Sequence, residues 1–178
     1  STGPTSSISD PSDLDNASNF LTPSLTASDG GAISDMQITD PTLEATRDGM
    51  YALEEADLFN LLYIPPLEFS DDGDTDLARA AVYAQDRRAV LIVDPPSSWD
   101  DTDDAETGIN TLRTTIGTDA ADHAAVYFPR VRMPDSLKEN RLQTFAPGGA
   151  IAGIIARTDA QRGVWKAPAG IEASFSGV

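Results

Sequence analysis

The sequence predicts an α/β fold: a mainly parallel sheet of three or more strands with helices on both faces, preceded by an irregular acidic segment. Three observations carry that prediction. Short apolar runs recur at 59–64, 89–93 and 124–128, and each is closed within two residues by proline. A strand buried on both faces has this look, because neither face alternates with solvent. Segments with helical spacing lie between and after the runs. Residues 1–48, by contrast, hold neither a period of 2 nor one of 3.6.

The elements follow in chain order. Residues 1–48 are rich in Ser, Thr, Asp, Gly and Pro, with Arg47 the sole cation. Such a stretch reads as loop, linker or the edge of another domain, with Asp29-Gly30-Gly31 as a turn. The ordered domain is expected over 49–178. Tyr51 to Ala56 predicts a short helix, and Phe59 to Ile64 a strand stopped by Pro65-Pro66. Asp74, Thr75 and Asp76 are capping candidates for a helix over 77–88, with Leu77, Ala81 and Ala84 on one face. Ala89 to Val93 is the second strand, stopped by Asp94-Pro95-Pro96. Ala105, Ile109, Leu112 and Ile116 mark the next helix, with Gly117 as its stop. Ala124 to Phe128 is the third strand. Pro147 opens a last helix with Ile151, Ile154 and Ile155 inward, and Gly153 is expected to let it approach a neighbour. A turn-rich tail runs from Gly163. Strand, helix, strand, helix, strand, helix with right-handed crossovers gives a parallel sheet.

Composition excludes several functions. The 178 residues carry 12 Lys plus Arg against 29 Asp plus Glu, a net charge of −17. That balance opposes nucleic-acid binding, which needs cations to displace phosphate counterions, and attraction to anionic membranes. No apolar run approaches a membrane span, and the start resembles neither a signal peptide nor a native initiator, so a processed chain or a fragment is expected. With no cysteine, thiol catalysis, disulfides and Cys-bound zinc are excluded. Asp far outnumbers Glu and only Lys138 and Lys166 are lysines. Such a surface suits a saline habitat, and equally suits a protein kept soluble by self-repulsion.

Few constellations carry chemistry. The strand ends Ile64-Pro65-Pro66, Val93-Asp94-Pro95-Pro96 and Phe128-Pro129-Arg130 should share one sheet edge, where α/β enzymes bind ligands. There Asp94, with Asp100, Asp101, Asp103 and Asp104, is a candidate Mg²⁺ or Ca²⁺ cluster. A chain this rich in Asp produces clusters without function, and the calcium-loop spacing is missing. The prolines suit stiff structural exits better than mobile substrate loops. His123, the one histidine, should lie at the opposite edge as a surface residue, with no Gly-x-Ser-x-Gly elbow to serve it. Pro147-Gly148-Gly149 opens a helix, a position that attracts anions, yet no phosphate-loop motif accompanies it. Carboxylate pairs of the glycosidase kind carry little meaning in so acidic a chain. Arg130, Arg132, Arg141, Arg157, Arg162 and Lys166 lie beyond residue 129, whereas residues 1–58 hold Arg47 alone. An acidic front and a more basic back suit head-to-tail pairing of copies, or ordinary ion pairing within one chain.

Four stretches are similar to one known family. They are Phe59 to Pro66, Ala89 to Trp99, Ala125 to Asp135, and Gly149 to Asp159 continuing through Arg162 to Gly170. In this order and spacing they resemble the contractile tail sheath proteins of tailed phages, phage-tail-like bacteriocins and extracellular contractile injection systems. The resemblance covers roughly 49–178. It implies a structural subunit, not an enzyme, with no cofactor and no catalytic residue. Such subunits stack as hexameric rings around an inner tube protein, between baseplate and terminator proteins, in a virion tail or related particle assembled in the host cytoplasm. They contract from a metastable extended state and drive the tube through an envelope. The expected partners are therefore copies of the chain and the tube, with no nucleic acid and no membrane insertion. The resemblance lacks the family's C-terminal tube-gripping part and its N-terminal arm, which suggests an internal portion, with residues 1–48 as the stub of a variable outer domain. Arg157, Arg162, Trp165 and Lys166 are the candidate subunit contacts, from their place in the best-matching stretch. Two rivals remain: a Mg²⁺-dependent α/β hydrolase centred on Asp94, and an acidic binding domain of a secreted or surface protein.

Overall fold

The computed structural model describes residues 30–67 and 76–175. The chain divides into two units, 1–32 and 33–178, and the fold below is that of the second. Most of the expected irregular segment 1–48 lies outside the described residues, as do Asp29, Asp74 and Thr75.

The described chain opens with a single helical turn, α1 (Met36–Thr39), and two 3-10 turns, Pro41–Thr46 and Gly49–Glu55. Asp40 caps the first of these by accepting from the Thr42 backbone N–H at 2.8 Å. Gly49 has φ 58°, and a methyl group there would strike the Ile38 carbonyl. The expected helix at 51–56 is thus a tighter 3-10 turn, and Met50 and Tyr51 are buried from it.

Three short strands form a parallel sheet in the order β1 (Leu61–Tyr63), β2 (Val90–Val93), β3 (Ala124–Val126). Leu62 pairs with Leu91, and Leu91 with Ala124. Between them run α2 (Leu77–Asp86) and α3 (Thr102–Ile116). Asp76 caps α2 by accepting from the Arg79 N–H, and Gly117 at φ 96° ends α3. The core is built from Leu62, Leu91 and Val93 against Ala80, Ala81 and Ala84 of α2 and Ile116 of α3. The three alanines are fully buried. Small side chains there let α2 lie close on β2. Ile109, expected on the inner face of α3, is 39% exposed instead; the helix meets the core nearer its carboxyl end, through Leu112 and Ile116.

After β3 the chain makes an element that no periodicity in the sequence marks. β4 (Val131–Asp135) and β5 (Arg141–Phe145) form a separate antiparallel hairpin, with Val131 opposite Phe145. The last helix, α4 (Gly148–Arg162), follows Pro147 and packs on β1 and β2. Ile154 is its buried isoleucine, while Ile151 and Ile155 are half-buried. Gly153 was expected at a close approach, but it is exposed and faces open space. The close approach occurs one turn earlier, at Gly148, where a methyl group would overlap the Tyr63 ring and the Asp94 carboxylate.

Candidate functional site

The parallel sheet brings Tyr63, Asp94 and the first turn of α4 together at its carboxyl edge. Asp94 Oδ2 accepts from the Tyr63 hydroxyl at 2.8 Å, and Asp94 Oδ1 accepts from the Gly148 N–H at 2.8 Å. The first turn of a helix has unpaired N–H groups and a partial positive charge, so a carboxylate is stabilised there. The anion attracted to this helix is therefore the chain's own Asp94. Burial, reinforced by the Asp94 carboxylate, pushes the Tyr63 phenol well above its ordinary value near 10, while a backbone hydrogen bond from Gly149 acts the other way. Tyr63 thus stays a protonated donor. Arg130 extends the joint, donating from Nε to the Pro95 carbonyl at 3.1 Å. Pro95 and Pro147 are both buried, which makes these exits rigid parts of the packing.

The acidic loop beyond Asp94 is occupied with folding α3. Asp101 Oδ1 accepts from the N–H groups of Asp103 and Asp104, both at 3.0 Å. Asp104 Oδ2 accepts in return from the Asp100 N–H at 3.0 Å. This is a reciprocal cap over the start of the helix. Among the described residues no group of three or more carboxylates or histidines is arranged to hold a metal ion. Trp99 closes the loop by lying against Gly108, and its ring meets Phe128 edge-on at 6.3 Å.

His123 sits at the amino edge of the sheet, opposite Asp94, as its position before β3 predicts. It is half-buried, with Nδ1 3.2 Å from the Ala89 carbonyl oxygen.

The four candidate contact residues gather around the carboxyl end of α4 and the tail beyond it. Arg157 donates to the Ser174 carbonyl at 2.7 Å. Arg162 donates to both oxygens of Glu172, at 2.9 and 3.1 Å. Lys166 donates to the carbonyls of Ala167 and Ala169. The two arginines thus clasp the tail onto the helix, over a small cavity of about 160 Å³. Trp165 makes no such polar contact; its ring lies over Gly163 and remains 84% exposed. Val164 and Ile171 are also strongly exposed.

A third cluster had no sequence signal. Arg87, at the end of α2, donates to the carbonyls of Leu53 and Ala56 and to Glu54. Its guanidinium lies 4.9 Å from the centre of the Phe59 ring. Tyr83 donates to the same Glu54 oxygen at 2.9 Å. These two hydrogen bonds, from Tyr83 first and Arg87 second, hold the Glu54 carboxyl below its ordinary value. Tyr63, Glu172 and Glu54 were all missed because each partner lies 10 to 33 residues away, beyond any local spacing.

No family model matches this chain, and no curated protein matches it.

Proposed function

We propose that the protein is a structural subunit of a contractile tail sheath, one that polymerises as stacked rings around an inner tube. The observation that carries the reading is the run of four sheath-like stretches in order and spacing over roughly 49–178. The structure adds two supports. The fourth stretch ends in a tail held down by Arg157 and Arg162, which presents Trp165, Val164 and Ile171 to solvent. An exposed tryptophan beside aliphatic side chains is the composition of an interface centre. Second, the carboxyl edge, where an α/β enzyme would bind substrate, is closed by the Tyr63–Asp94–Gly148 joint. That leaves the hydrolase rival without a free Asp94. On this reading the sheet is covered on both faces, by α2 and α3 on one and α4 on the other. The partners are copies of the chain, the tube, and the baseplate and terminator proteins. The separate unit of residues 1–32 belongs to an outer domain, whereas 33–48 are part of the second unit, with Leu43 packed on its core, and no cofactor takes part.

Negative-stain microscopy of the protein expressed with its native flanking sequence tests this. Straight hollow tubes with a stacked-ring repeat are expected. A monomer at every salt and protein concentration would overturn the reading. Magnesium-dependent hydrolysis abolished by Asp94→Asn would put the rival in its place.

A further inference from the structure

The β4–β5 hairpin stands apart within the chain. Apart from each other, neither strand packs extensively against another helix or strand of the described residues. A two-stranded hairpin is marginal in water unless something covers it. Its register places Arg132 and Thr144 with Pro134 and Leu142 on one face, and all four are exposed. Leu142 is 57% exposed. Residues 130–145 also hold four cations against two carboxylates, in a chain of net charge −17. The face joins two apolar side chains to a threonine and a cation, and Arg132 has no ion-pair partner among the described residues.

A surface of opposite character lies on the outer side of α2. It is a groove of about 610 Å³ between that helix and the 3-10 turns. Tyr51 and Tyr83 meet edge-to-face in its wall, with ring centres 5.3 Å apart. Val82 contributes an apolar rim and is 49% exposed. Two arginines enter the groove, and both are already paired, Arg79 with Asp76 and Arg87 with Glu54. Two carboxylates in the lining, Glu44 and Asp86, have no ion-pair partner among the described residues. Unpaired carboxylates beside an exposed apolar rim attract a guanidinium through charge-assisted hydrogen bonds.

We propose that the outer face of the β4–β5 hairpin docks into the α2 groove of a second copy of this chain. Arg132 then lies against Glu44 and Asp86, and Leu142 lies against Val82. Charge complementarity selects the occupant, because the basic hairpin and a groove with two unpaired carboxylates belong to the same chain and make no extensive contact within it. The contact joins unlike surfaces, so it propagates from copy to copy wherever two copies do not exchange hairpins reciprocally. The inference rests on the reading that the protein assembles with itself, and it names the surfaces.

Sedimentation velocity on the purified protein and two variants tests it. Arg132→Glu spoils only the hairpin, and Val82→Asp spoils only the groove; both sites are exposed, so both variants should fold. Wild type should form species that grow with concentration. Each variant alone should associate at least about tenfold more weakly. Mixed together, the intact hairpin of Val82→Asp should fill the intact groove of Arg132→Glu and give one-to-one dimers that grow no further. Variants that associate like wild type, or a mixture that stays monomeric, would overturn the docking while leaving self-assembly standing. A monomeric wild type at every concentration would also overturn the docking, while the sheath reading would then stand or fall on the micrographs of the flanked protein.

Discussion

Two glycines in α4 behave in opposite ways, and the difference is readable residue by residue. Gly148 is buried against Tyr63 and Asp94. Gly148→Ala should cost about 1–3 kcal/mol by overpacking and lower the melting midpoint by several degrees. Gly153 faces open space within the helix, so Gly153→Ala should stabilise by about 0.5–1 kcal/mol, since alanine loses less backbone freedom on folding. Thermal denaturation of the pair checks both signs, and equal shifts would refute the placement of Gly148. A glycine followed by a helical pattern was visible in the sequence at both positions. Which one touches the sheet depended on a tyrosine 85 residues earlier in the chain and an aspartate 54 residues earlier, and no local pattern encodes that.

At the scale of elements, Arg87 ties α2 to the 3-10 turn and the chain before β1. It donates to two carbonyls and a carboxylate at once, an arrangement that a lysine ammonium on its flexible stem reproduces poorly. Arg87→Lys should therefore destabilise by about 1–3 kcal/mol, seen as a lower urea midpoint with an unchanged slope. The same cluster sets an acid response. Glu54 titrates lower in the folded protein than its ordinary 4.5. Its contribution is therefore present above that value and is lost as pH falls through the lower folded one. In Glu54→Gln the decline in stability below about pH 4.5 should be shallower than in wild type. The elements themselves were largely legible. The three apolar runs contain the strands, and the helical stretches are α2, α3 and α4. The hairpin was not seen, because Pro134 interrupts β4 and alternation there is half polar; proline is tolerated only since each strand is an edge.

For the whole molecule, net charge sets how the proposed self-association responds to salt. Copies bearing −17 repel one another at long range. Added salt shortens that repulsion to about 8 Å at physiological ionic strength but screens a desolvated contact much less. Self-association should therefore strengthen as salt rises from about 20 to about 150 mM. Light scattering at fixed protein concentration would show it, and weakening over that range would mean that surface ion pairs outweigh net charge. The acidic balance that predicts this response was plain in the sequence, whereas the groove and the face that would meet were not, since each is assembled from separate segments.

The strand order has a consequence of its own. β1, β2 and β3 lie in the sheet in the order they leave the chain. Open α/β sheets bind ligands where successive connections turn away in opposite directions and leave a crevice between neighbouring strands. A sheet that winds steadily one way never makes that reversal, so the three described strands leave no such crevice between them. Its carboxyl edge is free to serve as a seam, and helix α4 is sewn into it.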